Sequence, residues 1–484
     1  MTSIYIHQLL ARKAQRLWHS HTVTTWGSLS VQSLRLLALT PLILIQFNET
    51  EIAAWYLFAT LNVFGVIMTQ RIGLTFNRIF AFAMAGSTSL EPIKKIHLKN
   101  ELGESNWPAF EKAFGTIGSI NLGVGWINVG LAAVMGWIGL GNIVQGYDEK
   151  SIIWIAFAIM QITTLISFTF QHFQIALQGM NYIALVNRWN ILWGALSCLA
   201  GCITLWAGGG IVSLVIIMQL FTLISVANTW FLLRKVEEGR VAKFKVFAFD
   251  LTIFKWAWEP TWKGFLGQLG ILGSTQFAAI TYTAFGAKAD VASFLFAQRI
   301  LQIVVQMGQA PFSSLQPFMS KLLASGEYLQ LGTIARKRIS LSLGLTAVGF
   351  IFCGLAAPFI MDLVGSNIKF IPLPAWLLMT ALTLIIRFDV MSAAVCGLGN
   401  HILFHIDLLA AALLTIGCTY LIKDTLGIYG PILTMSLPII VILNKRPYTE
   451  VVTQFKNHFE IKWGLDFGII YLFFLSISLL ILAV

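Results

Sequence analysis

Charge is what this sequence has least of. Asp, Glu, Lys and Arg make up only 11% of its 484 residues, against the ~25% of an ordinary soluble domain. A soluble fold of this length could not cover its surface with so few charges. Catalytic signatures are also missing: there is no phosphate loop, no GxGxxG, no GxSxG and no HExxH, so nothing points to an enzyme. The five cysteines, Cys198, Cys202, Cys353, Cys396 and Cys418, lie in apolar stretches without CxxC spacing. They read as small hydrophobes, neither disulfides nor metal ligands. His401 and His405 share a helix face, but no carboxylate or thiol follows at helical spacing, so no metal is expected. Near the N-terminus, Arg12, Lys13 and Arg16 precede no short apolar core with a small-residue cleavage site, and no removable signal peptide is read.

What the chain does have is apolar length. Hydrophobic residues form 57% of it, and mean hydropathy is +0.78. Apolar runs of membrane-spanning length recur throughout, which makes the fold class all-α and polytopic. Spans are expected near 22–47, 52–80, 113–140, 151–177, 182–206, 210–233, 263–286, 290–320, 337–362, 371–396, 402–422, 425–443 and 466–484.

With a cytoplasmic N-terminus, the loops on that side hold 23 basic residues, among them Arg78, Lys94, Lys112, Lys321 and Lys445, and the opposite loops hold 4. That bias is a strong positive-inside signal. Most of the formal net charge of +11 is therefore topological, and nucleic acid is not a partner. The longest charged connection runs from Arg234 to Lys263 and divides the first twelve spans into two lobes of six. The expected organisation is a cytoplasmic segment 1–21, an N-lobe 22–233, a lobe linker 234–262, a C-lobe 263–443, a cytoplasmic loop 444–465 and a thirteenth span 466–484. The C-terminus then lies in the periplasm. A short internal match supports the two lobes: Ala176-Leu-Gln-Gly-Met180 and Ala394-Val-Cys-Gly-Leu398 both fall at cytoplasmic hairpins, 218 residues apart.

Glycine and proline mark particular spans. Gly264, Gly267, Gly270 and Gly273 in the seventh span, and Gly115, Gly118, Gly123, Gly125 and Gly130 in the third, fit either close helix packing or a bending gate. Pro41 in the first span, with Pro311 and Pro317 in the eighth, points to kinks.

Five arginines fall within or just inside spans: Arg35, Arg71, Arg188, Arg299 and Arg387. Five facing lipid at the bilayer centre would cost on the order of 12–18 kcal/mol, so most must face a cavity or a partner. Arg188 is near enough to its span end to snorkel. The clearest carboxylates at membrane depth are Asp389 and Asp407, with Glu259 close to a span, and they are too few to neutralise the arginines. The surplus suggests an anionic substrate, and the planar fork of Arg suits phosphate. Arg35 and Arg299, supported by Arg71 and Arg387, are the candidate substrate-binding patch between the lobes; Asp389 and Asp407 are the candidate ion-coupling residues. Gln161, Gln171, Gln174, Gln268 and Gln302 either line a hydrated path or bond between helices.

The stretch Gln174-Ile-Ala-Leu-Gln-Gly-Met-Asn-Tyr-Ile-Ala-Leu-Val-Asn-Arg-Trp-Asn190, and the end of the eighth span, Pro317-Phe-Met-Ser-Lys321 with Gly326-Glu327, resemble the polysaccharide-transport branch of the multidrug/oligosaccharidyl-lipid/polysaccharide exporter superfamily. The two-lobed plan of about residues 15–445 fits it, and the extra C-terminal span departs from it. The resemblance implies a MATE-like inverted-V bundle of two six-helix lobes. It also implies a Wzx-type flippase moving undecaprenyl-diphosphate-linked oligosaccharide, an O-antigen or exopolysaccharide repeat unit, across the bacterial inner membrane by alternating access. No cofactor is implied beyond a coupling ion, H+ or Na+. The implied partners are the lipid-linked substrate, membrane lipids, and polysaccharide polymerase and assembly proteins. Two alternatives are a MATE-like exporter of small molecules and a membrane glycosyltransferase or polymerase.

The charge bias makes a topological prediction. Reporters fused after Lys95, Lys245 and Lys456 should read cytoplasm, and reporters at Asp148 and Asp424 periplasm. A cytoplasmic reading at Asp148 would overturn the span assignment.

Overall fold

The computed structural model describes residues 20–87, 90–92, 104–144, 148–285, 288–364, 369–422, 426–455 and 461–483. Lys94, Lys95, Lys99, Lys423 and Lys456 of the loop tally, and the segment before Ser20, lie outside the described residues. Among those described, all regular structure is helical. In order the helices are α1 (His21–Gln46), α2 (Glu49–Met84), α3 (Trp107–Ile143), α4 (Lys150–Phe170), α5 (His172–Gly179), α6 (Ile183–Trp206), α7 (Ile211–Lys235), α8 (Leu251–Phe285), α9 (Lys288–Ser313), α10 (Gln316–Ala324), α11 (Tyr328–Val364), α12 (Leu373–Cys396), α13 (His405–Ile422), α14 (Tyr429–Leu443), α15 (Arg446–Phe455) and α16 (Trp463–Ala483). A helix stands at each of the thirteen expected span positions. Among the described residues, eight stretches are long and apolar enough by themselves to cross a membrane.

Local chemistry sets the ends. The two-residue break Phe47-Asn48 works because Asn48 and Glu51 form a reciprocal capping box, with bonds of 3.0 and 3.2 Å, that satisfies two otherwise orphaned N–H groups of α2. Asp250 caps α8, its Oδ1 accepting from the N–H of Thr252 at 2.8 Å and of Ile253 at 3.1 Å. The two matched hairpins end alike: Asn181 (φ 72°) follows α5 and Asn400 (φ 61°) follows α12, asparagine being the non-glycine residue best suited to a left-handed stop. Within the helices, hydroxyls such as those of Thr163, Thr204 and Thr415 donate to the carbonyl four residues back, which lets a polar side chain sit in an apolar span.

Several expected boundaries move. Helix α8 begins at Leu251 and α11 at Tyr328, about three turns before the hydropathic spans at 263 and 337, because a helix continues past the membrane into charged sequence that hydropathy cannot register. The expected single span 290–320 is two helices: α9 stops at Ser313, and Pro317 sits in the first turn of α10, where its missing N–H costs nothing. Pro317 therefore starts a helix and does not kink one, whereas α1 runs through Pro41 uninterrupted. The expected span 151–177 is likewise broken at Gln171 into α4 and α5, and the loop 444–465 contains α15. Arg78, tallied with the loops, lies in α2 and is only 9% exposed.

The chain divides into two compact units: Met1–Glu91 with Gly103–Trp258, and Pro92–Leu102 with Glu259–Val484. The division falls inside the segment 234–262 read as the lobe linker. In the first unit α1 packs on α6, α2 on α3 and α5, and α4 on α3 and α7. Leu39, Phe58, Leu140, Phe157 and Leu214 form its apolar core. The second unit pairs α9 with α11, α13 with α14, and α12 with α11, α14 and α15. Trp376 is wholly buried there, donates to the Phe350 carbonyl at 2.9 Å and fills the space left by Gly354. The extra helix α16 packs on α11 and α12, and the Asp466 carboxylate in its first turn receives Arg336 through two bonds of 2.8 Å.

Some glycines of α8 and α3 serve close approach, to different neighbours, whereas a Cβ on Gly123 or Gly130 would meet nothing within 4 Å. Gly270 admits the α13 backbone, since an added Cβ would lie 2.4 Å from the Leu408 carbonyl carbon. Over Gly115 and Gly118 runs the irregular segment before α8, and a Cβ on Gly118 would meet the Val246 carbonyl oxygen, a backbone atom that cannot turn aside. Gly118→Ala should therefore lift this segment off α3. Limited trypsinolysis at Lys243 and Lys245 should become at least five-fold faster than in wild type, and an unchanged cleavage rate would show the packing to be dispensable.

Candidate functional site

In the first unit, Arg35 stands at the junction of two cavities. One, of about 340 Å³, is mainly apolar and is lined by Leu39, Trp55, Phe58 and Met160 among others. The other, of about 330 Å³, is lined by polar groups including Ser28, Gln32, Gln174 and Asn190. Arg35 and Thr222 border both. The split follows from sequence: α1 is polar over Ser28–Gln32 and apolar over Leu36–Ile45, with Arg35 between. Among the described residues no carboxylate forms an ion pair with Arg35; its one titratable neighbour of note is the Cys198 thiol on α6. A guanidinium so placed can present donors to an anion while the adjoining wall accepts apolar groups.

Arg71 is half-buried on α2 and lines neither cavity. Arg78, two turns further along the same face, is close enough for the two charges to act on each other. Sequence reading tallied Arg78 with the loops and so missed it as a buried helical residue; the signal was its seven-residue spacing from Arg71 within a helical pattern that continues to Met84. Arg188 donates its Nε–H to the Ala184 carbonyl at 3.1 Å, one turn back on its own helix.

In the second unit Arg299 is exposed on α9 and donates to Gln302 at 3.4 Å. Arg387, half-buried on α12, donates to Gln309 of α9 at 2.6 Å. Gln302, read as path-lining or interhelical, thus orients an arginine, as Gln309 does, whereas Gln298 donates to the Thr275 carbonyl at 3.0 Å and joins helices.

Helix geometry separates these arginines in depth. At 1.5 Å per residue, Arg35 lies about 16 Å from the α1 end at Gln46, and Arg71 about 33 Å from the adjoining α2 start at Glu49. In the other unit, Arg299 lies about 16 Å from the α9 start at Lys288, and Gln309, the partner of Arg387, about 32 Å. Each unit therefore carries an upper and a lower arginine some 15 Å apart along its helices.

The two carboxylates differ. Asp389 is 1% exposed; its carboxylate accepts from the backbone N–H of Lys445, in a turn where Asn444 and Lys445 both have positive φ, and its Oδ1 has no partner. Asp407 is paired with Arg446 at 2.6 Å, largely in the open. His405 stacks edge-on against Trp262 at 5.4 Å. Among the described residues no cluster of His, Cys and carboxylates has metal-binding geometry.

Comparison with solved structures places this arrangement in a known fold. A Pro-to-Ala mutant of a MATE transporter superposes with a TM-score of 0.70 at 15% identity, covering 90% of this chain and 96% of that one. An outward-facing multidrug resistance MATE family transporter of the MOP superfamily gives 0.68 at 16% identity, over 90% and 95%. An Asp-to-Asn mutant of the Vibrio cholerae MATE transporter VcmN gives 0.65 at 15%, over 90% and 97%. The chain thus has the MATE transporter fold and is a multi-pass membrane protein. No protein-family model and no curated protein matches the sequence.

The Asp389 geometry makes a prediction. Its carboxylate ties the end of α14 to α12, so Asp389→Ala, which leaves the Lys445 N–H unsatisfied, should cost about 1–3 kcal/mol. Asp407→Ala, which removes an exposed pair, should cost under about 1 kcal/mol. Denaturation in detergent of the two variants side by side is the check, and equal losses would refute the distinction.

Proposed function

We propose that the chain is a flippase that moves undecaprenyl-diphosphate-linked oligosaccharide across the bacterial inner membrane by alternating access, with its N-terminus cytoplasmic and its C-terminus periplasmic. The observation that carries this reading is Arg35, an arginine at membrane depth, without an ion-pair partner among the described residues, between a polar and an apolar cavity. A cavity for organic cations would call for carboxylates there. A lipid-linked diphosphate brings phosphates for the guanidinium, sugar hydroxyls for Gln32, Gln174 and Asn190, and a tail that never has to leave the bilayer. Export of small molecules is the second reading, favoured by the multidrug transporter among the structural neighbours; with Arg35 in place those molecules would be amphipathic anions.

Uphill movement needs an ion that binds the access states differently. Of the two candidate carriers, Asp389 suits H+ or Na+ better, because it is buried with one oxygen unpartnered, whereas Asp407 is committed to Arg446. Polymerase and assembly proteins would receive the delivered glycan.

The test is substitution of the upper and lower arginines. Arg35→Ala and Arg387→Ala should each lower the appearance of lipid-linked glycan on the periplasmic side at least ten-fold at unchanged protein level. Arg35→Lys should recover only part, because a point charge lacks the fork. Full transport by both Ala variants would overturn the reading. Wild-type glycan transport together with lost efflux of amphipathic anions would select the second one.

A further inference from the structure

The segment between α7 and α8 is a built surface that the transport reading does not use. Its start is held by Tyr182, whose hydroxyl donates to Glu237 at 3.0 Å. Its end is held by Asp250, which caps α8 and lies 3.8 Å from Lys112. Between them the chain runs over Gly115 and Gly118 without regular structure after a 3-10 turn at Val241–Lys243, bending at Phe244, Val246 and Phe247. The Ala248 N–H donates to the Gly115 carbonyl at 3.2 Å, and the Asp250 N–H to the Thr116 hydroxyl at 3.1 Å.

Exposure alternates residue by residue along the segment, and the alternation sorts chemistry. Phe244, Val246, Ala248 and Asp250 turn towards α3. Lys243, Lys245, Phe247 and Phe249 are exposed, the two phenylalanines by 46% and 55%. The first turns of α8 extend the outer face with Leu251, Lys255 and Trp258 at helical spacing, Leu251 and Trp258 each 56% exposed. Asp250 is the one carboxylate between Arg240 and Trp258, and it is occupied by Lys112 and the α8 cap. The segment's own outer face is therefore three ammonium groups and four large apolar side chains; the carboxylate of Glu91 beside it accepts from the Trp256 indole N–H at 3.0 Å.

Its depth follows from α3. That helix has 37 residues, about 55 Å, well beyond the ~30 Å of a hydrocarbon core, and the span read from hydropathy begins at residue 113, so its first turns fall on the headgroup side of that boundary. Gly115 and Gly118 lie only about 12 and 16 Å from its start. Irregular backbone with few internal hydrogen bonds cannot lie in hydrocarbon, but it can lie among headgroups and water.

We propose that residues 243–258 form an interfacial strap that binds acidic phospholipid headgroups, with Lys243, Lys245 and Lys255 on the phosphates and Phe247, Phe249, Leu251 and Trp258 at the acyl boundary. The lysines supply the charge complement, and the apolar groups stay about half exposed although Phe247 meets Phe170 at 6.2 Å and Phe254 stacks between Phe249 and Trp258. Their depth matches the boundary between headgroup and tail. On the orientation given above the leaflet is the cytoplasmic one. The strap is independent of the transported substrate, and its failure would leave that reading untouched.

The test uses the full chain in detergent, with its melting temperature followed as phosphatidylglycerol or phosphatidylcholine is added. Phosphatidylglycerol should raise the melting temperature with a half-saturating concentration at least ten-fold below that of phosphatidylcholine, and 0.5 M salt should erase the difference, as expected for surface charges beyond a ~4 Å screening length. Lys243→Gln, Lys245→Gln and Lys255→Gln combined should abolish the preference. The corresponding Arg triple should keep it, as should Lys150→Gln, Lys321→Gln and Lys337→Gln combined. Loss of the preference in that second Gln triple would reduce the effect to net charge and overturn the strap, and so would an unaltered preference in the first. Equal response to the two lipids in the wild type would also overturn it.

Discussion

An arginine at membrane depth must be met by something other than lipid, and much of this structure follows from that requirement. The backbone satisfies itself by forming helices. Hydroxyls fold back onto the preceding turn, and the few carboxylates go to ion pairs, caps or buried turns. The guanidiniums are too numerous to be neutralised in this way. Arg188 reaches a carbonyl of its own helix, Arg299 and Arg387 rest on glutamine oxygens, and Arg35 opens onto cavities. Glutamine is an apt companion: its carbonyl orients the guanidinium through a hydrogen bond without cancelling the charge, so the cation stays available to a ligand.

Most of the helical plan was legible because lipid imposes a one-dimensional rule. Helices α6, α7 and α12 lie within two residues of the spans read from hydropathy, and each ends in turn chemistry visible in the sequence. The same rule fails where a helix leaves the bilayer. Leu251–Trp262 and Tyr328–Arg336 are helical but charged or aromatic, so a scale that reports lipid compatibility ends too soon. It also cannot distinguish a proline that interrupts a helix from one that begins it, as Pro317 shows, since the two differ only in what precedes them.

The candidate site was legible in composition but not in arrangement. A surplus of arginine over acid at membrane depth can be counted from the sequence, and Arg35 could be picked out as the most central. Its position between a polar and an apolar cavity could not, because those walls come from α2, α4, α6 and α7, distant in sequence. Nor could the role of Asp389, whose contact is a backbone N–H some 56 residues away, in a turn with no composition cue beyond Asn444. The glycines of α3 show the same limit: a small-residue stripe announces close approach, yet only tertiary structure shows that the neighbour is an irregular strap and not a helix.

The separation of the arginines bears on how a charged head group could be moved. In a hydrated cavity the screening length is about 8 Å, so charges about 15 Å apart act as separate stations, not one deep well. A single cluster of four guanidiniums would hold a diphosphate too tightly to release it, since each charge-assisted bond contributes ~1.5–3 kcal/mol. In the second unit each arginine rests on one glutamine and binds less strongly than a cluster would, so an anion could leave one as it engages the next. Passage needs binding favourable enough to enter and weak enough to leave, and a separation along each unit's own helices is compatible with both conditions.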